Sequence, residues 1–292
     1  MKNYYCFAFV FLISFTTLAQ IKGVVKDSGD GKPIPYVTIS VENENFGTTS
    51  EENGEFSIHV NDQSKKLVFS ALGYERQTVE ISKASEVLLQ QSVFALDEVV
   101  ISKRYESRQR EIGNEKVIFE TFDQAPRFDL KFFPYLPEYK KTKFLKQVCI
   151  VTDSKIDDAS FKIHFYSVDA NGYPGEELIG KDFIVSVDKG VSKTKFNLAK
   201  FNLSMPKKGI FIGFEKLLIT KNKIERTVIN PNTKAPQIQT TFYPFMLYNN
   251  VKRDFQFTFI GGQWIRKSNQ NPENPLEKIQ LYEPAITLIL TN

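Results

Sequence analysis

The sequence predicts an all-β protein built as two successive sandwiches, and three observations predict it. The chain holds 26 phenylalanines and 12 tyrosines against 3 methionines, and aromatic residues favour strands. Apolar/polar alternation of period two recurs along it, while no stretch shows the 3.6-residue period of an amphipathic helix. Its 292 residues suffice for two domains, and a charge-dense stretch at 103–116 (KRYESRQREIGNEK) reads as a linker between them.

Residues 1–19 read as a secretory signal peptide. Lys2 supplies the positive start, residues 6–18 the apolar run, and Thr17-Leu18-Ala19 a small-residue cleavage site before Gln20. The apolar run is shorter than the roughly 20 residues a spanning helix needs. A lipoprotein signal would place its cysteine at the cleavage point, and Cys6 stands at the opposite end. The mature chain is expected to be exported and to keep Cys149 alone. That thiol sits in the apolar run Val148-Cys149-Ile150-Val151 and reads as buried and structural. The formal charge of +4 comes with lysines spread along the chain. The cluster Lys140, Lys141, Lys143 and Lys146 reads as a solvated edge, and no nucleic-acid partner is expected.

The first domain spans 20–102. Residues 21–27 open it as a strand, Ser28-Gly29-Asp30-Gly31 turns the chain, and Pro33 and Pro35 hold it extended into a second strand at 36–41. A turn cluster through Asn53-Gly54, where a positive φ is expected, leads into strand 55–60, with Phe56 and Ile58 on one face and Ser57 and His59 on the other. Residues 67–71 are apolar nearly throughout and read as a central strand; strands at 76–81 and 87–89 follow. Short strands at this spacing suit a Greek-key sandwich. Residues 95–102 (ALDEVVIS) read as a last edge strand.

The order Ile21-Lys22-Gly23-Val24-Val25-Lys26-Asp27, Gly31-Lys32-Pro33-Ile34-Pro35-Tyr36-Val37, Gly47 to Ile58 and Leu67 to Tyr74 resembles the carboxypeptidase regulatory-like domain, a transthyretin-like β-sandwich. The tail Ala95 to Ser102 resembles the end of that domain where it precedes the plug of TonB-dependent outer-membrane transporters. The resemblance implies a Gram-negative-type envelope, in the periplasm or at the outer membrane.

The second domain spans 117–292, with strands expected at 144–151, 161–168, 183–187, 194–198, 210–220, 240–247, 255–260 and 285–290. Eight or nine strands with long loops fit a jelly-roll-like sandwich. The run from Phe165 to Glu176, with Met205-Pro206 and Gly209 to Glu215, is similar to the C-terminal part of envelope proteins that pair it with a regulatory-like domain. That resemblance brings an architecture and no activity.

Chemistry finds little support. A carboxypeptidase zinc site needs His-x-x-Glu and a further histidine, but His59 is followed by Asp62, and His164 is the second of two histidines. Both histidines read as solvent-facing. No nucleophile elbow accompanies a histidine and acid. Asp157-Asp158 and Glu176-Glu177 read as solvated pairs, and Asp169-Ala170-Asn171-Gly172 as a plain turn rather than a calcium loop. Catalytic, cofactor-binding and metal residues are therefore none. The remaining candidates are aromatic: Trp264 beside Gly261-Gly262, with Tyr243 and Tyr248 as neighbours, in the manner of sugar-stacking surfaces. The expectation is a non-catalytic envelope protein that binds or scaffolds, with an envelope protein or a glycan as partner. A glycan- or polymer-recognition accessory protein and a hydrolase with an unrecognised site are the alternatives.

Overall fold

The computed structural model describes residues 19–62, 64–92, 107–113, 120–121, 126–271, 273–274 and 276–292. The expected signal peptide, apart from Ala19, and the expected edge strand 95–102 lie outside them. Among the described residues the helical segments are short 3-10 turns, and no helix is long and apolar enough to cross a membrane.

Among the described residues seven strands form the N-terminal sandwich: β1 (Ala19–Asp27), β2 (Thr38–Val41), β3 (Gly47–Thr49), β4 (Glu55–Val60), β5 (Lys66–Ser70), β6 (Gln77–Glu80) and β7 (Glu86–Leu89). One sheet runs β4-β1-β7, the other β3-β2-β5-β6. The alternation of β4 works as expected: Phe56, Ile58 and Val60 are buried and Ser57 and His59 exposed. Phe56 meets Phe69 of the facing sheet edge-on at 5.6 Å, and Val25, Ile39, Leu67, Val87 and Leu89 complete the core. Gly54 takes φ +76, which lets the turn before β4 close tightly. Asp27 ends β1 as a hub, accepting from Gly29 N, Tyr74 Oη and Gln91 Nε2.

The remaining strands are β8 (Gln109–Ile112), β9 (Glu120–Thr121), β10 (Phe128–Phe133), β11 (Phe144–Ser154), β12 (Ala159–Val168), β13 (Pro174–Glu177), β14 (Ile184–Val187) and β15 (Gly190–Asn197). They continue with β16 (Ile210–Lys216), β17 (Lys223–Ile229), β18 (Pro236–Phe242), β19 (Phe245–Arg253), β20 (Phe255–Ile260), β21 (Gln263–Ser268), β22 (Ile279–Pro284) and β23 (Ile286–Thr291). One sheet runs β13-β12-β16-β10-β20-β21, with β14 also on β12. The other runs β22-β19-β11-β23-β8, with β15 on β11 and β9 on β19. Phe161, Ile163, Phe165, Ile210, Ile212 and Phe214 from the first meet Leu145, Val148, Ile150, Leu288 and Leu290 from the second. This is sandwich packing, in which each strand gives alternate residues to a shared core.

Two expectations change here, and one feature is new. Within the expected linker 103–116, Gln109–Ile112 is paired antiparallel with β23, because Ile112 packs on the second core and Glu111 pairs with Lys193 at 2.6 Å. The second sandwich therefore includes residues before 117. The expected strand 240–247 is two strands, β18 and β19, divided at Tyr243-Pro244. Finally, β17 and β18 form a separate two-stranded arm.

The two sandwiches are in contact. The β3–β4 turn holds the chain after β16: Leu218 N donates to Thr49 Oγ1, and Thr220 donates to Glu51 from its backbone and its hydroxyl. On the other flank Gln263 donates to Asn43, and Arg76 to the Gly262 carbonyl.

Candidate functional site

The densest group of polar side chains at this contact lies on the outer face of β12 and β16. Phe161, Ile163 and Phe165 send β12 into the core, so Lys162, His164 and Tyr166 must point the other way. On β16 the same rule turns Glu215 outward, directly across from Lys162. An outer face would normally meet water. Here the N-terminal sandwich covers it, and Lys162, His164 and Glu215 are all buried.

Burial obliges each group to find partners, and each does. His164 places Nε2 at 2.7 Å from Glu215 and Nδ1 at 3.1 Å from Glu177 of β13. Its ring lies near-parallel to that of Phe128, at 5.3 Å, and to that of Tyr166, at 5.6 Å. Gly213 makes the Phe128 contact feasible. It sits opposite His164, between β12 and β10, and a Cβ there would meet Leu130 at 2.6 Å and Phe128 at 3.3 Å. The second oxygen of Glu215 accepts from the Thr38 hydroxyl of β2. Lys162 donates to the Tyr36 carbonyl at 2.7 Å and pairs with Asp182 at 3.2 Å. Tyr36 takes φ +53, unusual for a bulky residue.

The electrostatics follow from these contacts. Burial opposes charge on His164, but the carboxylates of Glu177 and Glu215 outweigh it and raise the imidazole to about 10. Burial likewise opposes charge on Glu215, yet His164, Lys162 and Thr38 hold its carboxyl down to about 2. The phenol of Tyr166 is raised by burial and by the same two carboxylates. At neutral pH His164 is an imidazolium with a carboxylate at each ring nitrogen and two near-parallel aromatic neighbours. A ring so occupied cannot serve as a general base, nor present a lone pair to a metal.

A cavity of about 190 Å³ opens on this group: Lys162, His164, Glu177 and Glu215 line it together with Ser70 to Tyr74 and Arg76 from the N-terminal sandwich and Phe259 and Trp264 from the second. The Arg76 guanidinium lies 5.3 Å from the Phe259 ring centroid.

The expected aromatic trio does not assemble. Trp264, half-buried on β21, packs edge-on against Phe128, Tyr166 and Phe259. Tyr248 is buried in β19 inside the second core, where burial and Asp129 raise its phenol. Tyr243 is buried at the base of the arm against Phe245. Tyr248 thus lies on the far side of the sheet from Trp264, and neither tyrosine lines the cavity beside it. His59 is exposed as expected, but His164 is buried, because the face it occupies is covered by the other sandwich. Glu177 is not solvated either; its carboxylate turns in to His164 and also accepts from Phe165 N. Asp158 keeps an exposed pairing with Lys221. Cys149 is buried as expected.

The N-terminal contributors to the seam, Tyr36, Thr38, Ser70 to Tyr74 and Arg76, all fall within one recognisable module. Residues 21–101 match the CarboxypepD_reg-like domain. The same third of the chain is similar to two curated proteins. One is TonB-dependent receptor P3 of Formosa agariphila, 34% identical over 100 residues, covering 32% of this chain and 10% of that protein. Another is TonB-dependent receptor SusC of Bacteroides thetaiotaomicron, 29% identical over 93 residues, covering 32% and 9%. The chain thus spans about a tenth of the length of these relatives. Superposition on the structure of infectious bursal disease virus Gx strain covers 93% of this chain and 60% of that one, at 9% identity and a TM-score of 0.23, which carries no argument. The CarboxypepD_reg-like domain therefore supplies half of the seam, and β10, β12, β13, β16, β20 and β21 supply the other half.

Proposed function

We propose that the protein is a non-catalytic component of the cell envelope that binds or scaffolds through its two β-sandwiches, the CarboxypepD_reg-like domain being fixed on the second. One observation carries the reading: His164, the histidine that two carboxylates approach, has both ring nitrogens engaged by those carboxylates and lies near-parallel to two aromatic rings. Of the residues suited to acid–base work, Glu215 joins the two sandwiches through Thr38, and His164 is held between Glu215 and Glu177. The names of the relatives, both TonB-dependent receptors, support an envelope setting. Export by cleavage before Gln20 belongs to the same proposal.

The test is to compare wild-type protein with His164→Gln and Glu215→Gln. Both variants should loosen the CarboxypepD_reg-like domain, read as faster proteolysis between the sandwiches, while peptidase and glycosidase assays stay at background for all three proteins. Hydrolytic turnover in the wild type that either substitution abolishes would overturn the reading. Cell fractionation should recover the protein with the envelope.

A further inference from the structure

The arm formed by β17 and β18 carries an edge unlike the others. Free strand edges invite pairing with other chains, and proteins commonly guard them with charged side chains or keep them short. Among the described edge strands of six or more residues, β4 carries Glu55, β15 carries Lys193 and Lys195, and β17 carries Lys223, Glu225 and Arg226. Strand β21 carries Arg266 and Lys267, and β22 carries Glu283. Strand β18, Pro236-Gln237-Ile238-Gln239-Thr240-Thr241-Phe242, has no charged residue. It also bears Ile238 at 70% exposure, beside Ile229 of β17 at 61%.

The base of the arm is held firmly. Asn222, fully buried, donates to the carbonyls of Ser160 and Leu217, accepts from Ser160 N, and receives Tyr243 N at 2.8 Å on its own carbonyl. The backbone directions of β18 follow. Asn230 N donates to the Ala235 carbonyl and Tyr243 N to the Asn222 carbonyl, so residues 235, 237, 239, 241 and 243 face β17. Pro236, Ile238, Thr240 and Phe242 turn their backbone groups outward. Pro236 stands where its missing N–H costs no pairing.

We propose that β18 is a self-association edge, pairing antiparallel with β18 of a second copy about a two-fold axis through Thr240. In that register Thr240 meets Thr240, Ile238 meets Phe242, and Gln239 meets Thr241. Every pair is then polar with polar or apolar with apolar. The outward N–H and C=O groups of Ile238, Thr240 and Phe242 find partners, and no like charges meet. The same two-fold on β17 about Arg226 would set arginine against arginine, so β18 is the edge that fits a second copy. Isologous pairing of this kind closes as a dimer rather than growing into a fibre.

The experiment is sedimentation of the mature chain up to about 0.1 mM, a range suited to the weak association of small interfaces. Wild type should show a concentration-dependent monomer–dimer equilibrium. Thr240→Lys and Thr240→Pro should be monomeric with unchanged unfolding midpoints, since the N–H that proline removes faces away from β17. Under oxidation Thr240→Cys should cross-link to a dimer, because hydrogen-bonded antiparallel partners stand about 5.5 Å apart at Cα, within disulfide reach. Gln239→Cys should not, since its counterpart is Thr241. A wild-type monomer at every concentration would overturn self-pairing and leave the edge to a strand of another protein. A dimer that survives Thr240→Pro, or cross-links equally at Gln239→Cys, would overturn it as well.

Discussion

Thr38 of β2 donates its hydroxyl to one oxygen of Glu215 on β16, while the other oxygen of that carboxylate holds His164 Nε2 at 2.7 Å. One buried carboxylate thus bridges a strand of the N-terminal sandwich and the imidazolium beneath it. Removing Glu215 leaves the imidazolium with Glu177 alone and takes the acceptor from the Thr38 hydroxyl. Breaking a buried ion pair by truncating one partner costs about 3–5 kcal/mol, and Glu215→Ala should lose stability in that range by denaturant unfolding. Thr38→Val removes a single hydrogen bond and should cost about 1.5–3 kcal/mol, the range for hydrogen bonds to charged groups. His59→Ala, at an exposed site, should stay within about 0.5 kcal/mol. An effect of Glu215→Ala no larger than that of His59→Ala would show that the seam is solvated.

The seam should also give stability a defined pH window. His164 is raised in the fold from its ordinary 6.5 to about 10, so its contribution is full below 6.5 and is lost as pH rises toward 10. Glu215 is lowered from 4.5 to about 2, so its contribution is full above 4.5 and is lost as pH falls toward 2. The stability difference between wild type and His164→Gln should therefore be greatest between about pH 4.5 and 6.5 and shrink on either side. Unfolding curves across that range check it, and a difference that grows above pH 6.5 would contradict the charged imidazole.

Gly23 tests the packing of the N-terminal sandwich. A Cβ at this position in β1 would stand 2.2 Å from the Ala84 carbonyl oxygen and 2.8 Å from the Phe56 ring. The first obstacle is backbone and cannot rotate away. Gly23→Ala should destabilise by about 1–3 kcal/mol, the range for overpacking. Unfolding should show the loss in the transition that reports the N-terminal sandwich, and an unchanged midpoint would mean that β1 and the Ala84 segment are free to separate.

The strands that could be read from sequence are those whose alternation matches a single buried face. In β4, Phe56 and Ile58 point in and Ser57 and His59 point out, as the pattern requires. In β12 the alternation placed Phe161, Ile163 and Phe165 together, and the second core confirms it. Alternation assigns residues to faces but does not say what covers each face, so His164 reads as solvent-facing although its face is covered. Strand β10 escapes the alternation for a related reason. Its Asp129 and Lys131 are buried on the side facing the second sheet, Lys131 with Glu283 at 3.1 Å, while Phe128 and Phe132 lie on the opposite face. The arm went unseen because β17 and β18 are largely polar on both faces, and Phe242 to Leu247 supplies an apolar run that hides the break at Pro244. The Thr38–Glu215 contact had no local signal, its partners being 177 positions apart.

Cys149 offers a test of burial and of export in one measurement. It is fully buried in β11, where burial raises its thiol above the ordinary value. A buried neutral thiol is a poor nucleophile. The folded protein should react with an aromatic disulfide reagent only at the rate of unfolding. In denaturant the number of thiols depends on processing, because the sequence holds 2 cysteines and one of them, Cys6, precedes the expected cleavage site. Protein recovered from the envelope should titrate as one thiol per chain, with an N-terminus at or near Gln20 by mass spectrometry. Two thiols on unfolding, together with a retained Met1, would show that residues 1–19 stay attached. A fast reaction in the native state would place Cys149 at an accessible surface rather than in the sheet.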